Sequence, residues 1–574
     1  MRSELFIEAK NICDNIQKND YLKHQLAEAE HMAESMENIP LLSYSAFNEY
    51  YLTGNRQVYE RVYFQRRKLL NALFILAVVY EDDETYIKRL EDIIWAVTEE
   101  FTWALPPHVA HIKNDKPVNK YAEFIDLFSA ETGFALAEML NILGNRLDLR
   151  VRNRIKYEIR RRIINPYLTG EEFSWERVKN NWAAVCGGSV GAVFLYLADD
   201  DEIKKILPRI KRTLNCYFDG FKDDGVCVEG MGYWTYGFGY FTYFASLLYQ
   251  YTDGKENLFD DKKIKEIAMF PQRVMLKNNK VVNFSDCSEE YTHQYGLSCF
   301  IADKFEDVTV PSVDCAADFE KSEGSSFAAF VRDFAWGGRV CVKSEKNENE
   351  YFYFKDTEWY IKKTPIYELA AKAGNNGESH NHNDVACFMF NVCGESVIAD
   401  AGREEYTKKY FGPERYECFA PSALAHSVPI INNELQKEGK EHKGRIVDAD
   451  DKKLIIDFEQ CYDVPELKGL RRSFEFGINE FKMTDSFVFA EQPQGVCEHF
   501  VSAVRPEQTE NGIILGDVFM RFDTDCYECD ISCKTFSTGY KGYKTVYLIN
   551  LVAKNPRREI KTEFCFTTDV KFKI

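Results

Sequence analysis

The run Glu378-Ser379-His380-Asn381-His382-Asn383-Asp384-Val385-Ala386-Cys387-Phe388-Met389-Phe390-Asn391-Val392 decides what kind of fold this chain makes. From Ala386 to Val392 it reads as a strand that stops at the turn signal Gly394-Glu395. The same strand-like character appears in Arg339-Val340-Cys341-Val342, Glu350 to Phe354, Leu454 to Phe458, Phe487 to Phe489, Gly512 to Leu515 and Thr545 to Ile549. From about Phe327 onward the hydrophobic period is two and helical patterns are few, which predicts a large antiparallel β domain.

Upstream of that point the period is helical. Tyr59 to Tyr80 carries Leu69, Leu70, Leu73, Ile75, Leu76 and Val79, and Thr85 to Trp103 repeats the pattern after Glu81-Asp82-Asp83. Further helices are expected at 121–147, 149–164, 189–197, 201–217, 234–251 and 262–276. Short turns join many of them, and no repeat of fixed period is present. Such helical hairpins fit an (α/α) toroid or an irregular bundle. The expected division is an α/α domain over 1–315 and an antiparallel β-sandwich over 316–574, since Pro311, Asp314, Glu323 and Gly324 interrupt both patterns.

At 574 residues the chain is too long for one core. Its 45% hydrophobic and 28% charged residues exclude a disordered, collagenous or coiled-coil protein. No apolar run reaches the roughly 18 residues that span a bilayer. The start, Met1 to Phe6, opens an amphipathic stretch containing acids, so the expected location is cytoplasmic with no membrane partner. A net charge of −19 argues against nucleic acid. It leaves room for a local basic pocket and an acidic substrate, because charges beyond about 8–10 Å are screened. The 17 cysteines are scattered and odd in number, and Cys341, Cys387 and Cys393 sit in strand-like runs, so reduced thiols are expected. Cys526, Cys529 and Cys533 begin as a CxxC but lack a fourth ligand nearby.

Three segments concentrate unusual residues. Lys179-Asn180-Asn181-Trp182 leads into Cys186-Gly187-Gly188-Ser189, which also fits a plain helix cap with its turn. Asp223 to Tyr240 holds five glycines and, at Tyr233, Tyr236 and Tyr240, three tyrosines; helix packing explains the glycines, but buried phenols need partners. In Ser379-His380-Asn381-His382, two of ten histidines stand at i and i+2, pointing to one side in extended backbone. His382, Asp400 and His426 make an N/N/O set that zinc accepts. A simple hairpin at Gly394 would set Asp400 opposite about Met389, so this set needs the His-Asn-His loop to fold back.

Asn-Asn-Trp, Glu229-Gly-x-Gly-Tyr233-Trp234-x-Tyr236-Gly, Ser-His380-x-His382-x-Asp before a strand, and Asp400-x-Gly-Arg403 followed by His426 together resemble the heparinase II/III-like polysaccharide lyases. That family includes relatives acting on glycosaminoglycans and alginate. The resemblance runs from about Asn180 to His426 and implies a helical toroid followed by an antiparallel β-sandwich. It implies β-elimination beside a uronate: a base takes the C5 proton, and a proton goes to the departing glycosidic oxygen on C4. The neighbouring carboxylate must be neutralised as enolate-like charge develops.

By this resemblance Asn181 neutralises the carboxylate, with Asn180 as the alternative. Tyr236 is the catalytic tyrosine, with Tyr233, one turn away, as the alternative, and His380 is the catalytic histidine. His382, Asp400 and His426 hold a structural divalent metal, zinc. Glu229, Trp234, Arg403, Tyr406 and Arg415 are the substrate-binding candidates. Several relatives carry His where this chain has Asn180 or Asn181, which leaves both proton transfers to His380 and a tyrosine. The expectation is that the Asn181 amide, the Tyr236 phenol and the His380 imidazole serve one groove. The expected partner is an acidic oligo- or polysaccharide, and few basic residues accompany the motifs, which leans toward low sulfation. A homodimer is compatible with the sequence. The alternatives are a glycoside hydrolase, which needs two carboxylates about 5–10 Å apart and has only Glu229 and Asp384 to offer, and a silent carbohydrate-binding protein.

Overall fold

The computed structural model describes residues 7–112, 117–320, 326–338, 349–539 and 542–568. The strand expected at Arg339 to Val342, the boundary residues Glu323 and Gly324, and Met1 to Phe6 lie outside the described residues. The chain forms two compact units: Met1–Phe221, Tyr233–Ala268 and Thr292–Ser344 make the first, and Lys222–Gly232, Met269–Tyr291 and Glu345–Ile574 the second. This division differs from a single cut at 315/316. Two early segments join the strands because their polar groups are satisfied there. The Asp224 carboxylate accepts the N–H groups of Asp356 and Thr357 at 3.0 and 2.7 Å, and the Glu368 carboxylate accepts the Lys277 N–H at 3.1 and 3.0 Å.

The first unit is helical. Gln57–Val79 is its longest helix, and every residue from Leu69 to Val78 is buried, as expected of a helix packed on all sides. Asp83 caps the next helix, Glu84–Thr98, by accepting the Thr85 N–H at 2.8 Å. The expected helix at 149–164 is an α-helix over Leu149–Ile159 that continues as a π-helical turn, Arg160–Ile164. Leu127–Leu143 and Asn181–Leu197 pack together. Asn181–Leu197 also lies close to Met231–Tyr251: a Cβ on Gly188 would stand 2.6 Å from the Tyr240 carbonyl oxygen, and one on Gly191 2.4 Å from the Phe244 ring. The glycines after Asn181-Trp182 therefore serve helix packing.

One expectation is corrected here. Strands do not begin at Phe327, because Phe327–Trp336 is a helix. Phe327, Phe330, Val331 and Phe334 recur at helical spacing and are buried, Ser326 caps the helix, and the buried Arg332 forks onto Glu138 with two bonds of 2.9 Å. The first described strand is Glu350–Phe354.

Among the described residues the second unit contains two nine-stranded antiparallel sheets. In spatial order the first runs Glu350–Phe354, Trp359–Lys363, Tyr367–Lys372, Phe388–Val392, Glu395–Ile398, Val496–Ser502, Tyr543–Ala553 and Tyr527–Ser537, with Ile430–Ile431 beside Val496–Ser502. The second runs Pro506–Thr509, Gly512–Leu515, Val518–Arg521, Glu559–Thr567, Glu480–Phe489, Leu467–Phe476, Lys453–Asp457, Gly439–Ala449 and Gly374–Asn376. Along Glu480–Phe489 the buried Phe481, Met483, Asp485, Phe487 and Phe489 alternate with more exposed positions. Phe388–Val392 is buried at every position, and its Phe388 and Phe390 meet Phe481 and Phe566 in one aromatic core. That strand is the rigid element from which the His-Asn-His segment emerges.

Candidate active site

In the second unit the His-Asn-His segment is gathered around one carboxylate that the sequence reading missed. Asp286 is buried and receives His380 Nδ1 at 2.7 Å, His382 Nε2 at 2.9 Å, a guanidinium nitrogen of Arg415 at 2.9 Å and the Tyr410 hydroxyl. Burial alone would raise its pKa. The hydrogen bonds from the two imidazoles and the charge of Arg415 overcome that and hold the carboxyl well below its usual range. An ionised Asp286 accepts from Nδ1–H of His380 and so fixes that ring's tautomer and orientation. His380 has φ +53°, an unusual backbone for a non-glycine residue, and a side chain 21% exposed. Asp286 is the one charged residue between Lys280 and Glu289, a weak signal in sequence.

The His382, Asp400 and His426 set is brought together, and its ligand atoms lie within 4.8 Å of one another. The strand pairing sets Phe390 opposite Ile398, so Asp400 reaches His382 only because both lie in loops beyond their strands. The donor chemistry fits a divalent cation. His382 spends Nε2 on Asp286, and its buried Nδ1 has no hydrogen-bond partner. His426 Nε2 faces the Ala420 carbonyl at 3.0 Å and must donate there, which turns the Nδ1 lone pair toward Asp400 Oδ2 at 2.9 Å. A lone pair against a carboxylate needs a proton or a metal ion between them. Burial opposes charging His426, but Asp400 beside it raises its pKa well above the ordinary value. The Gly402 N–H holds Asp400 Oδ1 at 2.8 Å; Gly402 has φ +66°, and a Cβ there would stand 2.5 Å from the Cys287 carbonyl oxygen, so the Asp-x-Gly pattern is a packing requirement.

The substrate-binding candidates separate. Tyr406 lies with its ring centroid 6.5 Å from that of His380, and Arg403 stands 5.0 Å over the Tyr406 ring. Glu229 is buried, and its carboxyl is raised by that burial, against the opposing influence of His380 and Ser379. Arg415 does not fit attraction of a substrate acid, because its guanidinium is spent on Asp286, the Asn381 carbonyl and the Tyr410 ring. Asp384, one of the two acids open to a hydrolase, is buried and paired with Lys372 at 2.7 Å.

In the first unit Asn180 is the cap of Asn181–Leu197, and its side chain accepts the Trp182 N–H at 3.2 Å. Asn181 is buried, and among the described residues no hydrogen bond of its amide is found. Trp234 is 4% exposed and donates its indole N–H to the Ile267 carbonyl at 2.7 Å, so it packs inside the helices and does not present a stacking face for sugar. Tyr236 and Tyr240, one turn apart on Met231–Tyr251, both donate to the carboxylate of Glu131 on Leu127–Leu143. Tyr233 lies on the same helix but does not join this group. Burial, then Glu131, push the Tyr236 phenol well above its usual pKa, and burial pushes Glu131 up to about 7. Glu131 was missed because its neighbours, Ala130-Glu131-Thr132, carry no motif.

All 16 described cysteines are free thiols, and Cys526, Cys529 and Cys533 form no metal-holding group among the described residues. No described helix is long and apolar enough to cross a membrane.

No family model and no curated protein sequence matches the chain. Solved structures match it in fold. Heparinase III is 13% identical, with 93% of this chain and 86% of that chain aligned at a TM-score of 0.61. A mutant of heparan sulfate lyase HepC from Pedobacter heparinus is also 13% identical, over 89% and 77%, at 0.58. The chondroitin AC lyase of Streptomyces coelicolor A3, solved with chondroitin sulphate, is 9% identical over 95% and 79%, at 0.53. The chain thus has the helical toroid and antiparallel β-sandwich of these lyases, the fold that its four motifs implied.

Proposed function

We propose that this protein is a polysaccharide lyase that cleaves uronate-containing glycans or oligosaccharides by β-elimination, with glycosaminoglycan-type chains first and alginate next. The observation that carries this reading is the His380–Asp286 pair, an imidazole held at Nδ1 with its ring edge partly exposed, on a fold shared with glycan lyases. In the reaction the C5–H bond breaks, its electrons form the C4=C5 double bond, and the C4–O bond breaks as the departing oxygen gains a proton. His380 and Tyr236 share the two proton transfers. Asn181, whose amide has no hydrogen bond among the described residues, donates to the uronate carboxylate as charge builds there. Arg403 and Tyr406 contact the sugar beside His380, and Glu229 holds the loop that presents it.

His382, Asp400 and His426 would hold a divalent cation, zinc by the N/N/O donor set, and the cation would supply fixed positive charge that ties the two loops together. Asp286 then serves both imidazoles at once. Incubation with heparan, hyaluronan, chondroitin and alginate oligomers, followed by the ultraviolet absorbance of an unsaturated uronate, tests the reading. New reducing ends without that absorbance indicate a hydrolase, and no cleavage indicates a binding protein.

A further inference from the structure

We infer that Glu131 is the proton acceptor through which Tyr236 acts, so that the tyrosine removes the C5 proton. This rests on the lyase reading above and assigns the tyrosine's role, left open there. A phenol that donates to a carboxylate turns its oxygen lone pairs away from that carboxylate. Tyr236 donates to Oε1 of Glu131, and Tyr240 donates to Oε2 while also bonding the Ser326 hydroxyl at 2.8 Å. The two phenols hold both carboxylate oxygens, so the carboxylate cannot swing away from Tyr236.

The chemistry needs such an acceptor. Tyrosinate is not populated at neutral pH when burial and a neighbouring carboxylate push the phenol up, so Tyr236 cannot be a base by losing its proton to solvent beforehand. It becomes one if its own proton leaves as the new one arrives. The C5–H bond breaks, an O–H bond forms on Tyr236, the original Tyr236 O–H bond breaks, and that proton ends on Glu131 Oε1. No oxidant or further reactant is required. A carboxyl near 7 suits this task, since its ionised form is present at neutral pH and holds the transferred proton. Beside the tyrosines, the charged and titratable groups that face Glu131 are Asp126 at the cap of its own helix, which raises its pKa, Arg67 from Gln57–Val79, which lowers it, and Cys186 from Asn181–Leu197. Glu131 touches no substrate in this scheme and is a positioning residue.

The test compares wild type, Glu131→Gln and Glu131→Asp on the oligomer that wild type cleaves, recording kcat and KM from pH 5 to 9 with thermal melts as a check on folding. We expect Glu131→Gln to lower kcat by about 100-fold or more with KM changed less than about threefold, as for loss of a general-base step. We expect wild-type kcat to rise through an acid limb near 7 that Glu131→Gln lacks and Glu131→Asp keeps in displaced form. A folded Glu131→Gln with wild-type kcat, or with the same acid limb, overturns the inference and leaves the lyase reading standing. If wild type forms no unsaturated uronate from any oligomer, the lyase reading falls and takes the inference with it.

Discussion

Nδ1 of His380 lies 2.7 Å from Oδ2 of Asp286, a carboxylate 94 residues earlier in the chain. The same carboxylate meets His382 through its other oxygen at 2.9 Å, which couples the partly exposed imidazole to one member of the His382, Asp400 and His426 set. Asp286 is therefore the point on which the orientation of both histidines depends. Substituting His380→Ala is expected to lower kcat by about 10²- to 10⁴-fold, the range of a lost acid–base group. Asp286→Asn, of equal size, should cost about 10- to 100-fold by releasing the ring tautomer. Steady-state rates of unsaturated product formation check both.

The metal set yields a second expectation. Purified protein should carry about one equivalent of a divalent transition metal by elemental analysis, and His382→Ala or His426→Ala should lose it. A ligand present at 100 times its Kd adds about 2.7 kcal/mol, which for a domain of this size is a melting shift of about 5–11 °C. A chelator should lower the wild-type melting temperature by that amount and leave the melt of His426→Ala unchanged.

The adjacent asparagines should behave oppositely. Asn180→Ala removes the cap that accepts the Trp182 N–H and should cost about 1 kcal/mol of stability, with kcat changed little. Asn181→Ala removes an amide with no hydrogen-bond partner among the described residues. It should leave the melt nearly unchanged and lower kcat by about 10²- to 10³-fold, as for a lost transition-state donor.

Glu131 gives a pH dependence of stability whose sign follows from its raised value. The folded state binds this proton more tightly than the unfolded state, where the value is 4.5. Its contribution to stability is thus fully present below 4.5, declines as pH rises, and is gone above about 7. Because the residue keeps intermediate exposure to solvent, the loss is discounted to about 1–3 kcal/mol. Denaturant titrations from pH 4 to 8 should show this slope in wild type and not in Glu131→Gln.

The architecture was legible because periodicity reports burial on one face. The expected helix from Tyr59 to Tyr80 is Gln57–Val79, and the expected strands Glu350 to Phe354 and Gly512 to Leu515 have those ends. Phe327–Trp336 was misread because aromatic residues suit strands as well as helices, and its period of three to four was obscured by small alanines between the rings. Motif residues were legible where unusual types cluster, as in His380, His382, Asp400 and His426. Asp286 and Glu131 were not, since a lone acid in an ordinary stretch signals nothing until the fold brings a histidine or a tyrosine to it. Trp234 and Arg415 misled in the other direction. Both are types that often meet sugars, and both have their polar groups spent inside the protein.

The central claim is elimination at a uronate, and the most direct measurement is the ultraviolet absorbance of the product during digestion of uronate oligomers. The account predicts absorbance that grows in step with new reducing ends and is abolished in His380→Ala. New reducing ends with no gain in absorbance would contradict it.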